Sequence, residues 1–272
     1  MNAAFDPAIR PVGCFDGDLD LFESQYAVPN GVSYNSWVIL DEKIAVLDSV
    51  DPRKTEEWLA NLAEALEGRE PDYLIIHHME PDHSGSIVTL ADKYPAMTLV
   101  GNAKTFPMLA AFTGRDFAGR ALIVKEGEEL ALGAHTLTFC MAPMVHWPEV
   151  MVSYEKSSGT LFSADGFGRF GDADPAAPWV DEGRRYYLNI VGKYGVQVQA
   201  LLKRRRRWTS SGCAPSTARC CPGRRWPWPW RSTICGAGTC RRRRACCWPT
   251  PPSTATPPGR RWSWRTSCGE RD

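Results

Sequence analysis

Residues 76–86 read Ile76-His77-His78-Met79-Glu80-Pro81-Asp82-His83-Ser84-Gly85-Ser86 and contain three histidines and two carboxylates. The apolar run 73–76 before them predicts a buried strand. Ser84-Gly85-Ser86, followed by further apolar residues, predicts the start of a helix. The histidines and carboxylates therefore lie on a strand-to-helix loop, where α/β proteins usually place their functional sites.

The spacing within this loop predicts a metal site. Residues two apart in an extended backbone point the same way, so His78 and Glu80 could bind one metal ion. Asp82 with His83 could bind a neighbouring ion. A lone histidine beside a carboxylate is usually a surface ion pair, and Asp82 could simply cap the following helix. Four potential ligands within six residues favour the metal site, and we expect His77 to be structural.

The surrounding pattern predicts strands that alternate with helices. Residues 32–40 and 44–47 are strand-like and are joined by a hairpin signal at 41–43, whereas 15–29 is loop-like. Helices are expected at 51–67, 87–94 and 105–112, with another strand at 97–100. Residues 121–124, 130–132 and 136–141 predict strands of a second sheet, and 150–154 and 160–163 a hairpin. This order fits an α/β sandwich with two sheets inside and helices outside.

The H-x-E-x-D-H spacing of residues 78–83 resembles the metal motif of the flavodiiron proteins, the iron branch of the metallo-β-lactamase superfamily. The resemblance extends from about residue 28 to about residue 202 and implies a metallo-β-lactamase-like αββα sandwich. Zinc hydrolases of this superfamily usually carry a histidine where this chain has Glu80. The carboxylate makes the site harder and richer in oxygen, which suits iron better than zinc.

Two further loops look like the corresponding flavodiiron segments. Residues 142–149 contain His146 and residues 161–168 contain Asp165, each after a predicted strand. In that family the histidine binds one iron and the aspartate bridges both. The resemblance therefore implies the following ligand set: His78, Glu80 and His146 for the first iron, Asp82 and His83 for the second, and Asp165 as the bridge. His135 falls outside every motif and is expected to be structural.

The chain changes character at Lys203. Residues 203–272 hold seventeen basic residues against only Glu270 and Asp272, whereas residues 1–202 hold fifteen basic and twenty-nine acidic residues. Eight of the ten cysteines and seven of the eleven tryptophans lie in this tail, and its only aliphatic residue beyond alanine is Ile234. Such a composition cannot assemble an aliphatic core. We expect residues 1–202 to form an incomplete di-iron domain and residues 203–272 a disordered tail with no domain of its own.

The flavodiiron pattern contains two features that the sequence lacks in this reading frame. They are a seventh ligand, a histidine in a Pro-x-His-Gly loop, and a flavodoxin-like domain that binds FMN; no histidine follows His146. Read two nucleotides late with GC-rich codons, the tail can encode a Pro-Leu-His-Gly run and then a flavodoxin-like phosphate loop. The hypothesis is a frameshift at or shortly before Lys203, and the chain as written is not expected to hold FMN.

Taken at face value, the tail has two other interpretations. A basic, tryptophan-rich segment could bind nucleic acid through phosphate contacts and base stacking. Its cysteines could bind zinc, but they occur as adjacent pairs at 220–221 and 246–247, with no C-x-x-C spacing. We favour the frameshift and expect no nucleic-acid partner.

The resemblance implies an oxidoreductase with a di-iron centre that reduces dioxygen to water or nitric oxide to nitrous oxide. Electrons would come from a rubredoxin-like donor through FMN, in a head-to-tail homodimer when the protein is intact. Without the FMN domain, activity of this chain is expected to be impaired. Two alternatives stay open: a binuclear metal-dependent hydrolase that uses a metal-bound hydroxide, and a flavin-free di-iron module that binds oxygen.

The first 202 residues predict a cytoplasmic protein without a membrane partner. They carry only Cys14 and Cys140, as expected in a reducing compartment. Residues 1–10 have no basic-then-apolar signal pattern. No apolar run approaches the roughly 18 residues that are needed to span a bilayer.

Overall fold

The computed structural model describes residues 6–171 and 181–204, together with the backbone of 179–180, 205, 212–214 and 221–222. The strands of the described residues are, in chain order, β1 (Ile9–Pro11), β2 (Cys14–Asp16), β3 (Leu21–Phe22), β4 (Tyr26–Ala27), β5 (Val32–Tyr34), β6 (Trp37–Ile39), β7 (Ala45–Leu47), β8 (Tyr73–Ile75), β9 (Thr98–Gly101), β10 (Ala121–Ile123), β11 (Glu129–Ala131), β12 (Thr136–Met141), β13 (Met151–Glu155), β14 (Thr160–Phe162), β15 (Gly212–Ala214) and β16 (Cys221–Pro222). The α-helices are α1 (Thr55–Leu66), α2 (Pro81–Ser84), α3 (Ile87–Lys93), α4 (Thr105–Thr113), α5 (Trp179–Tyr186) and α6 (Gly195–Arg205).

The strands form two six-stranded sheets and two short pairs. The first sheet has the order β1-β6-β7-β8-β9-β10, in which β7 to β10 run parallel. The second has the order β11-β12-β13-β14-β15-β16 and is antiparallel except for the β14–β15 pair. Strand β2 pairs with β5 and β3 pairs with β4.

Alternation along the strands divides the core into layers. Along β6, Trp37 and Ile39 pack in one buried cluster with Phe139 and Phe162 of the second sheet, whereas Val38 packs in the other cluster with Trp58 of α1. Side chains of a strand point alternately to its two faces, so one face of the sheet meets the other sheet and the opposite face meets the helices. The αββα sandwich that the sequence predicts is confirmed.

Two predictions about individual strands are wrong. The predicted strand 32–40 is split at Asn35 and Ser36, because β5 pairs with β2 whereas β6 pairs with β1 and β7. Residues 121–124 were expected in the second sheet, yet β10 is the parallel neighbour of β9 at the edge of the first. A parallel strand that follows β9 and α4 returns to the same sheet through the crossover helix, and apolar content alone cannot reveal that.

The segment 15–29 also differs from its prediction. It was expected to be a loop, but it contains β2 and the short hairpin β3–β4. Strands of two or three residues leave almost no alternation for a sequence pattern to detect.

The Arg- and Trp-rich tail lies outside the described residues, apart from the end of α6 and the backbone of β15 and β16. Those two strands extend the second sheet at β14. The expectations of a disordered tail and of a frameshift otherwise fall on residues that the structure does not describe. Among the described helices, none is long and apolar enough to cross a membrane.

Candidate metal centre

The loop after β8 carries four of the six predicted ligands. Residues 76–79 have no regular secondary structure and Glu80 has an extended backbone. Helix α2 then begins at Pro81, a residue that is favoured in the first turn because it needs no N–H partner. Glu80 is the residue that precedes this helix. Asp82 lies inside α2, so the interpretation of Asp82 as a helix cap is wrong.

Four of the predicted ligands converge on one point. Nε2 of His78 lies 3.3 Å from Oε2 of Glu80 and 3.2 Å from Nε2 of His146. Oδ2 of Asp165 lies 3.3 Å from Nε2 of His78 and 3.1 Å from Nε2 of His146. Nε2 of His146 lies 3.0 Å from Oε2 of Glu80. All four side chains are at most 6 % exposed.

A second group of three side chains shares Asp165 with the first. Nε2 of His83 lies 2.8 Å from Oδ1 of Asp165 and 3.5 Å from Oδ2 of Asp82. Asp82, His83 and Asp165 thus form a second set of side chains that could hold a metal ion. The structure brings all six predicted ligands together, in the two groups that the sequence motif implied.

The two remaining predicted ligands lie on loops that follow strands of the second sheet. His146 lies between β12 and β13, after Met144, whose backbone has a positive φ of 62°. Asp165 follows β14 directly after Ala164, which has φ of 48°, and begins a tight turn in which the amide of Gly168 donates to the Asp165 carbonyl. Left-handed backbone in residues other than glycine is uncommon and is concentrated at functional sites.

Glu149 supports the first group, and the sequence interpretation missed this role. Its Oε1 lies 2.7 Å from Nδ1 of His78 and accepts a hydrogen bond from the Met79 amide at 2.8 Å. Its own carbonyl accepts a 2.5 Å hydrogen bond from Nδ2 of Asn102. A carboxylate on the second nitrogen of a ligating histidine fixes the ring orientation and its tautomer. Its place three residues after His146 is the signal that could have identified it.

Asp48 lies beside the second group and is hydrogen-bonded to His77. It lies directly after β7, has φ of 54°, and is 1 % exposed. Its Oδ1 accepts the backbone amide of His77, and its Oδ2 lies 3.6 Å from Nδ1 of His83. Burial alone would raise the pKa of Asp48, but its contacts with His77 and His83 hold that pKa below its usual range. No sequence motif pointed to this residue.

The two histidines that were expected to be structural lie outside both groups. His77 bonds through Nδ1 to Asp48 at 3.0 Å and through Nε2 to Ser153 of β13 at 2.8 Å. His135 bonds to Oδ2 of Asp41 through its backbone amide and through Nδ1, at 2.7 and 2.8 Å.

The histidines and carboxylates of the site shift one another's pKa values. Burial would lower the pKa of His78 and His146, but hydrogen bonds to Glu149 and Glu80 raise that of His78 to about 9. Hydrogen bonds to Asp165 and Glu80 raise the pKa of His146 to about 10. Burial would raise the pKa of Glu80 and Asp165, but the neighbouring histidines hold both below their usual range. The site therefore holds protons that a metal ion would displace.

The pKa of Asp82 shifts in the opposite direction from that of Glu80 and Asp165. It is 6 % exposed, and neither of its carboxylate oxygens has a hydrogen-bond partner in the described part of the chain. Its pKa is raised to about 7, chiefly because burial disfavours the charged form. A buried carboxylate without a donor is costly unless a cation is bound.

The six side chains fit a pair of transition-metal ions. They supply three imidazole and three carboxylate groups, a mixed nitrogen and oxygen set that suits iron. The two oxygens of Asp165 face different groups, with Oδ2 towards His146 and Oδ1 towards His83. This places one carboxylate between two candidate sites, as a bridging ligand requires.

Comparisons with known proteins point in the same direction. A family profile described as ODP family beta lactamase matches residues 32–194. The chain is 33% identical over 197 residues to a nitric oxide reductase of Moorella thermoacetica, an alignment that covers 69% of this chain and 49% of the relative. It is 32% identical over 212 residues to a rubredoxin-oxygen oxidoreductase of Megalodesulfovibrio gigas, covering 75% and 52% respectively.

Among solved structures, the flavodiiron protein of Giardia intestinalis matches with a TM-score of 0.76 and 27% identity. The match covers 87% of this chain and 58% of that one. The chain spans between about a quarter and a half of the length of the curated relatives that it matches.

Proposed function

The chain belongs to the ODP family of β-lactamase-fold domains, whose relatives include the flavodiiron proteins, and on that premise we propose that it is the di-iron domain of a flavodiiron oxidoreductase. The single observation that carries this proposal is the position of Asp165. Its two oxygens face two separate groups of ligands, and Glu80 contributes a carboxylate to the first. Two iron ions bound there would supply the chemistry that reduces dioxygen or nitric oxide.

The residues of this chain would hold and orient that centre. His78, Glu80 and His146 would bind the first iron, Asp82 and His83 the second, and Asp165 both. Glu149 fixes the ring of His78 through a 2.7 Å contact, and Asp48 lies 3.6 Å from Nδ1 of His83. The hydroxyl of Tyr186 donates to Oδ1 of Asp165 at 2.8 Å and fixes that carboxylate.

Two aromatic side chains, Trp147 and Phe112, lie beside the first group. The ring of Trp147 packs edge-on against His78, with ring centroids 5.1 Å apart, and against His146 at 6.1 Å. Phe112, which is 57% exposed, covers the outer side of Trp147 at 6.2 Å. Low local polarity strengthens each electrostatic contact within the site.

Metal reconstitution tests the proposal. The full chain, loaded anaerobically with Fe(II), is expected to bind two iron ions. Asp165→Asn is expected to disrupt binding of these two ions. Asp92→Asn, which changes an exposed ion pair with Arg115, is the control and should bind both. The loaded chain should convert nitric oxide to nitrous oxide, or consume dioxygen, when a chemically reduced flavin supplies electrons. A protein that takes up zinc but no iron, and hydrolyses ester or lactam substrates, would contradict the proposal in favour of the hydrolase alternative.

The electron donor and the assembly are part of the same proposal. A relative is named rubredoxin-oxygen oxidoreductase, which supports a rubredoxin-type donor. FMN would be carried by a flavodoxin-like domain, and that domain would face the di-iron site of a second subunit in a head-to-tail dimer. Purified chain that contains stoichiometric flavin would contradict the expectation that residues 1–272 do not hold FMN by themselves.

We also propose that residues 203–272 are read out of frame. The support is compositional, since acidic residues and aliphatic side chains almost vanish at Lys203. The nucleotide sequence from codon 195 onward decides the matter. An extra or missing base near codon 203, with Pro-x-His-Gly and a flavodoxin-like domain in the restored frame, is the expected result. An intact frame would leave a di-iron binding domain with a basic tail, and the enzymatic proposal would then be withdrawn.

A further inference from the structure

A small cavity lies beside Asp165, between the loop after β14 and the helical layer. Its volume is about 40 Å³. A volume of roughly 10–15 Å³ holds one water-sized molecule, so this cavity has room for a molecule of two heavy atoms. The space adjoins the residue to which the proposed function assigns the bridging role.

The walls of this cavity are almost entirely apolar. Its purely hydrocarbon side chains come from the loops after β12 and β14 and from the helical layer. They are Val145, Phe167, Val191, Val198, Leu201 and Leu202. A buried water needs about two to four polar partners, whereas apolar cavities stay dry and bind apolar molecules or xenon. The lining therefore favours a small apolar molecule over water.

Among the described residues that line the cavity, only Asp165 is charged. Its Oδ1 lies 2.8 Å from Nε2 of His83 and accepts a hydrogen bond from the hydroxyl of Tyr186, also at 2.8 Å. Its Oδ2 lies 3.1 Å from Nε2 of His146. Because both oxygens already have close polar neighbours, Asp165 gives the cavity little capacity to hold water.

The helical layer has an unusual backbone where it meets the cavity. Residues 187–191 continue α5 as a turn of π-helix, and Tyr187 and Val191 of this turn line the cavity. Turns of π-helix are rare and occur frequently at functional sites. From α6, Val198 lines the cavity and is only 4 % exposed. The irregular turn therefore coincides with the apolar space beside the metal centre.

We propose that this cavity binds a small apolar gas molecule and holds, beside Asp165, the gas that the di-iron centre reduces. Dioxygen and nitric oxide are both diatomic and at most weakly polar, so either fits the volume and the lining. The identity of the gas rests on the proposed function, because that function supplies the two substrates. The binding of a gas molecule depends on the cavity alone and can be tested without iron.

Xenon is the probe for the cavity, because it is an apolar atom that enters dry apolar cavities. The metal-free full chain is titrated with dissolved xenon, and the NMR chemical shift of xenon is followed. We expect a saturable shift for the wild type. Val198→Leu adds a methylene group to the wall and should remove most of this shift, whereas Val198→Ala widens the cavity and should strengthen xenon binding. Circular dichroism confirms that both variants are folded.

Val196→Leu is the matched control, because it makes the same change on α6 at a residue that is 78 % exposed. Val196 does not line the cavity, so xenon binding by this variant should equal that of the wild type.

The iron-loaded chain then distinguishes the two gases. With chemically reduced flavin as the electron source, kcat/KM is measured separately for dioxygen and for nitric oxide. We expect Val198→Leu to lower kcat/KM for the gas that uses the cavity, at unchanged iron content, and Val196→Leu to leave both values unchanged.

Four results would contradict these expectations. A wild-type chain without a saturable xenon shift overturns the inference, whether or not it binds iron. Equal xenon binding by the wild type, Val198→Leu and Val198→Ala places the xenon elsewhere and also overturns it. If Val198→Leu loses xenon binding but keeps the wild-type kcat/KM for both gases, the cavity does not serve the reaction. A chain that binds xenon as expected but takes up no iron contradicts the proposed function, and the substrate role of the cavity fails with it.

Discussion

Nδ1 of His78 and Oε1 of Glu149 lie 2.7 Å apart although 71 residues separate them in the chain. The contact joins the loop after β8 to the loop between β12 and β13, so it crosses from one sheet of the sandwich to the other. Because Nε2 of His78 is the atom that faces the other candidate ligands, the partner on Nδ1 decides which nitrogen is free to bind a metal.

Replacing Glu149 should weaken the first metal site. Glu149→Ala removes the acceptor from His78 and from the Met79 amide, and we expect metal affinity to fall by about 10- to 100-fold. Titration with Fe(II) or Co(II), followed by absorbance, measures the change. Glu149→Gln keeps one oxygen acceptor and should lie between Glu149→Ala and the wild type. Equal affinity in all three proteins would show that Glu149 does not orient His78.

Metal binding should depend on pH. In the metal-free protein the pKa of His78 is raised to about 9 and that of His146 to about 10, so both rings are protonated at neutral pH. A metal ion must displace these protons, and its affinity should therefore rise with pH through the neutral range and level off above about pH 10. Calorimetry in buffers of different ionisation enthalpy should detect proton release on binding. A pH-independent affinity without proton release would contradict the protonated metal-free site.

The stability of the metal-free protein should depend on pH in the opposite sense. The folded-state pKa values of both histidines lie above the ordinary value of 6.5, so their stabilising contribution is complete below about pH 6.5. It is lost as pH rises towards about 9 and then 10. Denaturant unfolding across this range should show a falling free energy of unfolding. His78→Gln should flatten the dependence around pH 9, whereas a slope that is unchanged in His78→Gln would assign it to other groups.

Asp82 should lower the free energy of unfolding of the metal-free protein and yet be required for binding of the second ion. Its carboxylate is buried without a hydrogen-bond partner in the described part of the chain, which is costly in the metal-free protein. Asp82→Ala should therefore raise the free energy of unfolding of the metal-free chain by about 1 kcal/mol and should abolish binding of the second ion. Chemical unfolding and metal analysis measure the two effects. Asp92→Ala, at a carboxylate exposed to 53% and paired with Arg115, should change stability by less than about 1 kcal/mol. A lower free energy of unfolding for Asp82→Ala than for the wild type would contradict the predicted cost of the buried carboxylate.

The core between the sheets should be sensitive to cavity formation. Phe139 of β12 is fully buried among residues of both sheets. Phe139→Ala should lower the free energy of unfolding by about 3–5 kcal/mol, because the space between two packed sheets cannot collapse to fill the void. Phe112→Ala, at an aromatic residue that is 57% exposed, is the size-matched comparison and should cost much less. Similar losses for both variants would contradict the layered core.

The sequence by itself determined the features that depend on local spacing. The proposed ligands His78, Glu80, Asp82 and His83 lie in one short run between β8 and the end of α2. The order of predicted strands and helices fitted a two-sheet sandwich, and the resemblance to the flavodiiron proteins implied its αββα form. His146 and Asp165 followed from motif resemblance, since each is preceded by a strand that fixes where its loop emerges.

Only the tertiary structure decided the contacts between segments that are distant in the chain. Glu149 and Asp48 lie next to His78 and His83 through sheet pairing and loop packing, and no periodic pattern encodes such contacts. The same holds for β10, which joined the first sheet and not the second, because strand partners are chosen by crossover geometry and not by composition. Local patterns specify the direction of a side chain, whereas the packing of the two sheets specifies which side chains it meets.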